Sequence, residues 1–215
     1  MAEENPVIAL PEGRLINHSL FVKDQFNEAA TPSYKIEMAF PRGTLDEFND
    51  LLLDAAVEKW GAGADEDEDL VIPIKDGDKL QKKREAKGKE GDAYADMDVV
   101  RASTHFNRHG EDDVGGIACY APDVSEIGPA NQSEIYQGCF GIVGVTVGTY
   151  IDNDGNNAIT LYLSAFQKTK DGDRLASQRD MSKLFKPVGR KTKAKDTGGE
   201  ESDGEEKPKR SRRKG

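Results

Sequence analysis

EIYQGCFGIVGVTVGTYIDNDGNNAITLYLSAFQKTKDGDR, residues 134–174, sets the architecture of this chain. Residues 140–150 are all β-branched, aromatic or glycine, which predicts a long, strongly bent strand. From Ile159 to Gln167 the pattern alternates, with Ile159, Leu161, Leu163 and Ala165 against Thr160, Tyr162, Ser164 and Phe166. A period of two with one aliphatic face predicts a half-buried strand whose other face presents Tyr162 and Phe166 to a flat ligand. The opposing reading is that a helix or loop covers that second face and makes its rings core. Between the two runs, Asp152–Asn157 (DNDGNN) carries the residues that tolerate left-handed turns and predicts a hairpin. An EF-hand loop starting at Asp152 needs a glutamate at its twelfth position, where this chain has Leu163, so the metal reading is set aside.

Elsewhere the same alternation predicts strands at Leu15–Val22, with His18, Leu20 and Val22 on one face, and at Tyr34–Phe40, with Tyr34, Ile36, Met38 and Phe40 inward and Lys35 and Glu37 outward. Thr44-Leu45-Asp46-Glu47 fits a capping box. It opens a packing helix with an apolar stripe of Leu45, Phe48, Leu52, Ala55 and Ala56, ending near Trp60-Gly61. Short strands are expected at Leu70–Ile74 and over residues 98–106, with a turn at Lys75–Asp78. Residues 79–90 (KLQKKREAKGKE) form the one clear basic concentration in the body, read as a loop that is either solvated or in contact with phosphates.

The chain of 215 residues is long enough for one domain with extensions. The expected division is a domain over 1–185 and a disordered charged tail over 186–215, where aromatic residues cease. The net charge of −10 conceals an asymmetry: eleven basic and six acidic residues give the tail +5 and leave the body at −15. A uniformly cationic nucleic-acid coat is thereby excluded, but a local basic groove is not, because screening confines charge effects to about 10 Å. No apolar run approaches a membrane span and the N-terminus is acidic, so a cytoplasmic protein is expected. The two cysteines, Cys119 and Cys139, are expected to be buried thiols.

Nucleophile-elbow, P-loop and paired-cysteine metal patterns are absent, and His105 and His109 in HFNRH lack the glutamate of a metalloprotease. No carboxylate pair stands out for acid–base work. A non-catalytic protein without cofactor or metal is therefore expected. What remains is mainly β with one or two helices, and it carries aromatic rings beside lysines and arginines. Such a surface suits single-stranded nucleic acid, with bases on rings and cations along phosphates, and suits an OB-fold-like, partly open β-barrel. The rival readings are a structural or assembly protein with an all-β body and a charged tail, and a nuclease or other enzyme. The first candidates for stacking are Tyr162 and Phe166, followed by Tyr136, Phe140 and Tyr150. Candidates for phosphate contact are Lys82, Lys83, Arg84, Lys87, Lys89, Lys168, Lys170 and Arg174.

A set of short matches runs in order along residues 10–180. They are Arg14-Leu15 with Leu20-Phe21, Tyr34-Lys35-Ile36 to Phe40-Pro41, Lys75–Asp78, and Arg101-Ala102-Ser103. Then come Ile135-Tyr136 with Gly138-Cys139, Leu161 and Leu163 with Phe166-Gln167-Lys168, and Asp171–Leu175. By these the chain resembles the tailed-phage and prophage family of single-stranded DNA-binding proteins, formerly classed as a domain of unknown function. The resemblance implies an OB-fold protein that coats exposed single strands in phage replication, recombination or repair, largely without sequence preference. It also implies a tail that meets replication or recombination proteins. In many such proteins an acidic C-terminal tip occupies the DNA groove. Here the acidic block Glu200, Glu201, Asp203, Glu205 and Glu206 is followed by KPKRSRRKG, so the extreme end is basic. A tail that both competes with DNA and touches it is the corresponding expectation.

Overall fold

The computed structural model describes residues 6–25, 27–89, 91–106 and 116–175. All of them belong to one compact unit that ends at Ser177. The expected boundary at 185, the acidic block at 200–206, the basic end and His109 lie outside the described residues.

The hairpin expected across residues 140–167 forms. Strand β7 (Phe140–Ile151) and strand β8 (Asn157–Lys170) pair antiparallel along nearly their whole length. At the turn, the Asp152 carboxylate accepts the N–H groups of Asp154 and Asn156, both at 2.9 Å, and Gly155 takes φ +89°. That carboxylate oxygen serves the backbone, which is what a turn asks of an aspartate.

The rest of the sheet is built around this pair. Its other strands are β1 (Ile8–Ala9), β2 (Gly13–Asp24), β3 (Ser33–Pro41), β4 (Ile74–Asp76), β5 (Met97–Thr104) and β6 (Ala118–Tyr120). The order is β4-β5-β3-β2-β7-β8-β6, with β1 added on β7. All ladders are antiparallel except β6 with β8. β5 packs against β8 with no ladder between them among the described residues, so the sheet curls without closing. The mainly β, partly open architecture expected from the alternation is the one that forms.

The inward faces of β2, β3, β5, β7 and β8 meet helix α1 (Asp46–Trp60) in one core that includes Leu15, Leu20, Met38, Phe40, Val145, Leu161 and both free cysteines. Tyr34, Ile36, Met38 and Phe40 are buried, as their alternation predicts. Phe48, Leu52 and Ala56 form the buried stripe of α1, but no side chain caps its first turn. The capping box expected at Thr44 is therefore not made, and the Thr44 N–H closes a turn onto Pro41 O instead. In β2, Leu20 is buried while Val22 is 71% exposed, because the register is irregular between Ser19 and Asp24 and the expected face is lost there.

Two further expectations fail for local reasons. The predicted strand at Leu70–Ile74 shrinks to a single bridge at Val71 followed by β4. The basic stretch read as a loop begins as helix α2 (Gly77–Glu85), because the Asp76 carboxylate accepts the Asp78 and Lys79 N–H groups as an N-cap. Helix α2 and the 3₁₀ turn Asp92–Tyr94 cover a second, smaller core of Ile16, Ala39, Tyr94 and Val99 on the outer side of β2, β3 and β5.

The largest correction concerns Phe166. Val145 pairs with Leu163 but Gly144 pairs with Ala165, so Ser164 is an extra residue in β8 and the alternation inverts beyond it. Phe166 thereby turns inward and is fully buried, its ring resting over Gly141, where a β-carbon would come within 2.4 Å of the ring. It is core and offers no stacking surface. Phe166→Ala should accordingly destabilise the protein by about 3–5 kcal/mol, measured by urea denaturation.

Candidate nucleic-acid interface

The unclosed seam between β5 and β8 opens into a groove of about 830 Å³. Its floor comes from the outer positions of β3 and β5, where Lys35 and Glu37 alternate with the core residues and Arg101 and Ser103 stand opposite them. One wall is the second half of β2, with Lys23 and Asp24. The other is the 71–75 segment, fixed to β8 because the Val71 N–H donates to Asn157 O and the Ile159 N–H donates to Val71 O, both at 2.9 Å. Tyr150, at the tip end of the hairpin, stands over the groove and is 48% exposed.

Four cationic side chains thus converge on one concavity: Lys23, Lys35, Lys75 and Arg101. Lys23 lies 5.6 Å from the Tyr34 ring centroid. Lys35 pairs with Asp24 at 3.3 Å, and Arg101 donates its Nε–H to Glu37. The Tyr94 hydroxyl donates to the other Glu37 oxygen, and Arg84 of α2 sits over the Tyr94 ring at 5.1 Å. Burial first, and the Glu37 carboxylate second, push the Tyr94 hydroxyl pKa up, so it remains a donor at any working pH. His18 also lines the groove, and burial lowers its pKa and keeps it neutral at pH 7.

Helix α2 extends this cationic surface. Arg42 anchors its start by holding Asp76 at 3.1 Å, Asp78 at 2.6 Å and Asp96 at 3.2 Å. Lys82 and Lys83 are exposed on the helix, and Lys87 and Lys89 are exposed in the turn that follows. The Arg84–Tyr94–Glu37–Arg101 chain ties the helix to the groove floor.

The remaining sequence candidates divide into two places. Tyr162 is half exposed on the same face of the hairpin as Tyr150, its ring over Gly148, but it lies outside the groove. Tyr136, Phe140, Lys168, Lys170 and Arg174 do come together, at the opposite end of β8. There the rings are already covered: Arg174 and Lys168 lie 4.0 and 5.2 Å from the Tyr136 centroid, and Lys170 and Arg14 lie 4.7 and 5.9 Å from that of Phe140. Lys168 pairs with Asp171 at 2.7 Å, and Lys170 pairs with Glu12. The Tyr136 hydroxyl donates to Asp171 at 2.8 Å and accepts the Gly172 N–H at 3.2 Å. This is a clamp that fixes the chain after β8, and its rings do not present the open faces expected for stacking.

Sequence reasoning missed Lys23, Lys35, Lys75 and Arg101. Lys35 was visible as an outward position, but only the β3–β5 register shows that Glu37 stands directly opposite Arg101. Among the described residues no group of metal-ligating side chains forms, and no helix is long and apolar enough to cross a membrane.

A family model described as the ssDNA-binding protein of Enterobacter phage Enc34 matches residues 8–197. No curated protein sequence matches the chain. Among solved structures, the single-stranded DNA-binding protein from bacteriophage Enc34 in complex with ssDNA is 19% identical with a TM-score of 0.59, covering 79% of this chain and 89% of that one. The same phage protein in another structure is 19% identical with a TM-score of 0.57, covering 84% and 90%. Gp2.5, a single-stranded DNA-binding protein encoded by bacteriophage T7, is 11% identical with a TM-score of 0.54, covering 86% and 98%. At these identities the structural likeness establishes a shared fold. If the β8 end is a clamp, Tyr136→Phe should cost about 1–3 kcal/mol of stability, read by chemical denaturation, and should leave the groove intact.

Proposed function

The chain belongs to the family of the Enterobacter phage Enc34 ssDNA-binding protein, and we propose that it coats single-stranded DNA without catalysis, with the strand running through the groove between β5 and β8. The observation that carries this reading is the convergence of Lys23, Lys35, Lys75 and Arg101 with the open ring of Tyr150 in one concavity of a body that is otherwise strongly acidic. Phosphates follow the cations, and a base stacks on the tyrosine whatever its identity. Helix α2, with Lys82, Lys83 and Arg84, and the turn after it, with Lys87 and Lys89, continue the phosphate track beyond the groove.

Exposed strands of this kind arise during phage DNA replication, recombination and repair, and the host cytoplasm is the corresponding location. Replication or recombination proteins are the partners we assign to the tail.

Fluorescence anisotropy with oligo(dT), mixed-sequence single strands and blunt duplex tests the reading. Single strands of either kind should bind with similar affinity and duplex more weakly, and affinity should fall steadily as salt rises. Equal affinity for duplex and single strand overturns it.

Two sets of variants locate the binding path. Tyr150→Ala should weaken single-strand binding by about 1–3 kcal/mol while stability changes by no more than about 0.5 kcal/mol; Tyr162→Ala, outside the groove, should have the smaller effect on binding.

Neutralising Lys82, Lys83, Lys87 and Lys89 together should weaken binding to all sequences alike and reduce the salt slope by about one for each phosphate that these lysines would otherwise neutralise. An unchanged slope would confine α2 to a structural role.

A further inference from the structure

Lys35 and Arg101 in the groove already hold carboxylates, and the two carboxylates differ in what would happen to them if a phosphate took their place. Asp24, which holds Lys35, has a side chain 62% exposed; released from the lysine, it is solvated by water. Glu37, which holds Arg101, is only 13% exposed, and a carboxylate that loses its partner in such a place bears an uncompensated desolvation cost. Glu37 has a second donor that does not face the groove, the buried hydroxyl of Tyr94. Arg101 itself is 49% exposed, lines the groove, and meets Glu37 through Nε, so its terminal nitrogens are not the atoms that hold the carboxylate.

We propose that Glu37 is an affinity-setting residue that stands in for phosphate before a strand binds, holding Arg101 until the backbone of an incoming strand takes it. This rests on the groove being the single-strand path. In the exchange the arginine trades one oxyanion for another, and the Tyr94 hydrogen bond keeps the released carboxylate satisfied. No bond other than hydrogen bonds and ion pairs is made or broken. The direct cross-strand register of Glu37 with Arg101 makes the pairing a fixed property of the β3–β5 ladder rather than a chance surface contact. The effect is a strand held less tightly than the count of cations suggests, and therefore one that can be displaced. A protein that coats a strand only transiently needs that property.

The test uses the full chain, oligo(dT) anisotropy for affinity and stopped-flow displacement for release. Glu37→Gln should bind about five- to tenfold more tightly, with most of the change in the release rate. Asp24→Asn, which removes an equal charge from the same groove, should gain less than half as much. Tyr94→Phe should weaken wild-type binding but change the Glu37→Gln variant by less than twofold, the non-additivity expected of coupled neighbours. Each variant is first shown to be folded by its urea transition, and Tyr94→Phe retains the ring that fills the second core.

Glu37→Gln binding no tighter than wild type overturns the proposal, since Glu37 then braces Arg101 instead of competing for it. An equal gain from Asp24→Asn also overturns it, by reducing the effect to general charge. Failure of the underlying functional reading is distinct: wild type would then bind duplex and single strand alike in the same titration.

Discussion

The form of the sheet turns on Ser164, the first of two extra residues in β8 along the β7–β8 ladder. Before it, the odd-numbered residues Ile159, Leu161 and Leu163 face the core; after it, Phe166 does. The slip turns a large ring into the core at the end where Gly141 leaves room for it, and leaves the outward face of β8 free of large apolar groups there. At the other end the unbroken register keeps Tyr150 outward, above the seam that β5 and β8 do not close. One added residue thereby separates the hairpin into a packed end and an open end, and the open end is where cations gather.

Charge is distributed by the same geometry. A body near −15 repels a polyanion as a whole, so binding depends on local concentration of positive charge within about a Debye length. The β2-β3-β5 ladders supply it by bringing residues that are distant in sequence, Lys23, Lys35 and Arg101, to one groove. Ala39, also outward on β3, is buried beneath α2 and Tyr94. The outer face of that strand is thus divided between a covered half, which anchors the basic helix, and an open half, which forms the groove. Asp24 and Glu37 pair with Lys35 and Arg101 in that groove.

The strands with strict alternation were legible from sequence, because burial of one face requires that pattern and β3 fulfils it from Tyr34 to Met38. The hairpin turn was legible because Asp152 and Gly155 meet the demands of a tight reversal. Phe166 was misread because a bulge leaves no mark in a two-residue period. Helix α2 was hidden because Asp76, its N-cap, has the same chemistry as the turn expected there. Tyr136 and Phe140 were recognised as aromatic residues beside cations, but whether a cation covers a ring or leaves it to a ligand depends on contacts across the fold. The groove itself was illegible, since its residues come from β2, β3, β5, the 71–75 segment and the hairpin, and only the tertiary register assembles them.

A single strand lying in the groove at the β5–β8 seam must pass close to Tyr150. Photo-crosslinking of the full chain to an oligo(dT) carrying 5-iododeoxyuridine, with the attached residues identified by mass spectrometry, detects that proximity without any substitution in the protein. Attachment at Tyr150 is the expected dominant product, and it should disappear when excess unlabelled oligo(dT) is added. Attachment at Tyr136 or Phe140, with none at Tyr150, would place the strand at the opposite end of β8 and refute the groove as its path.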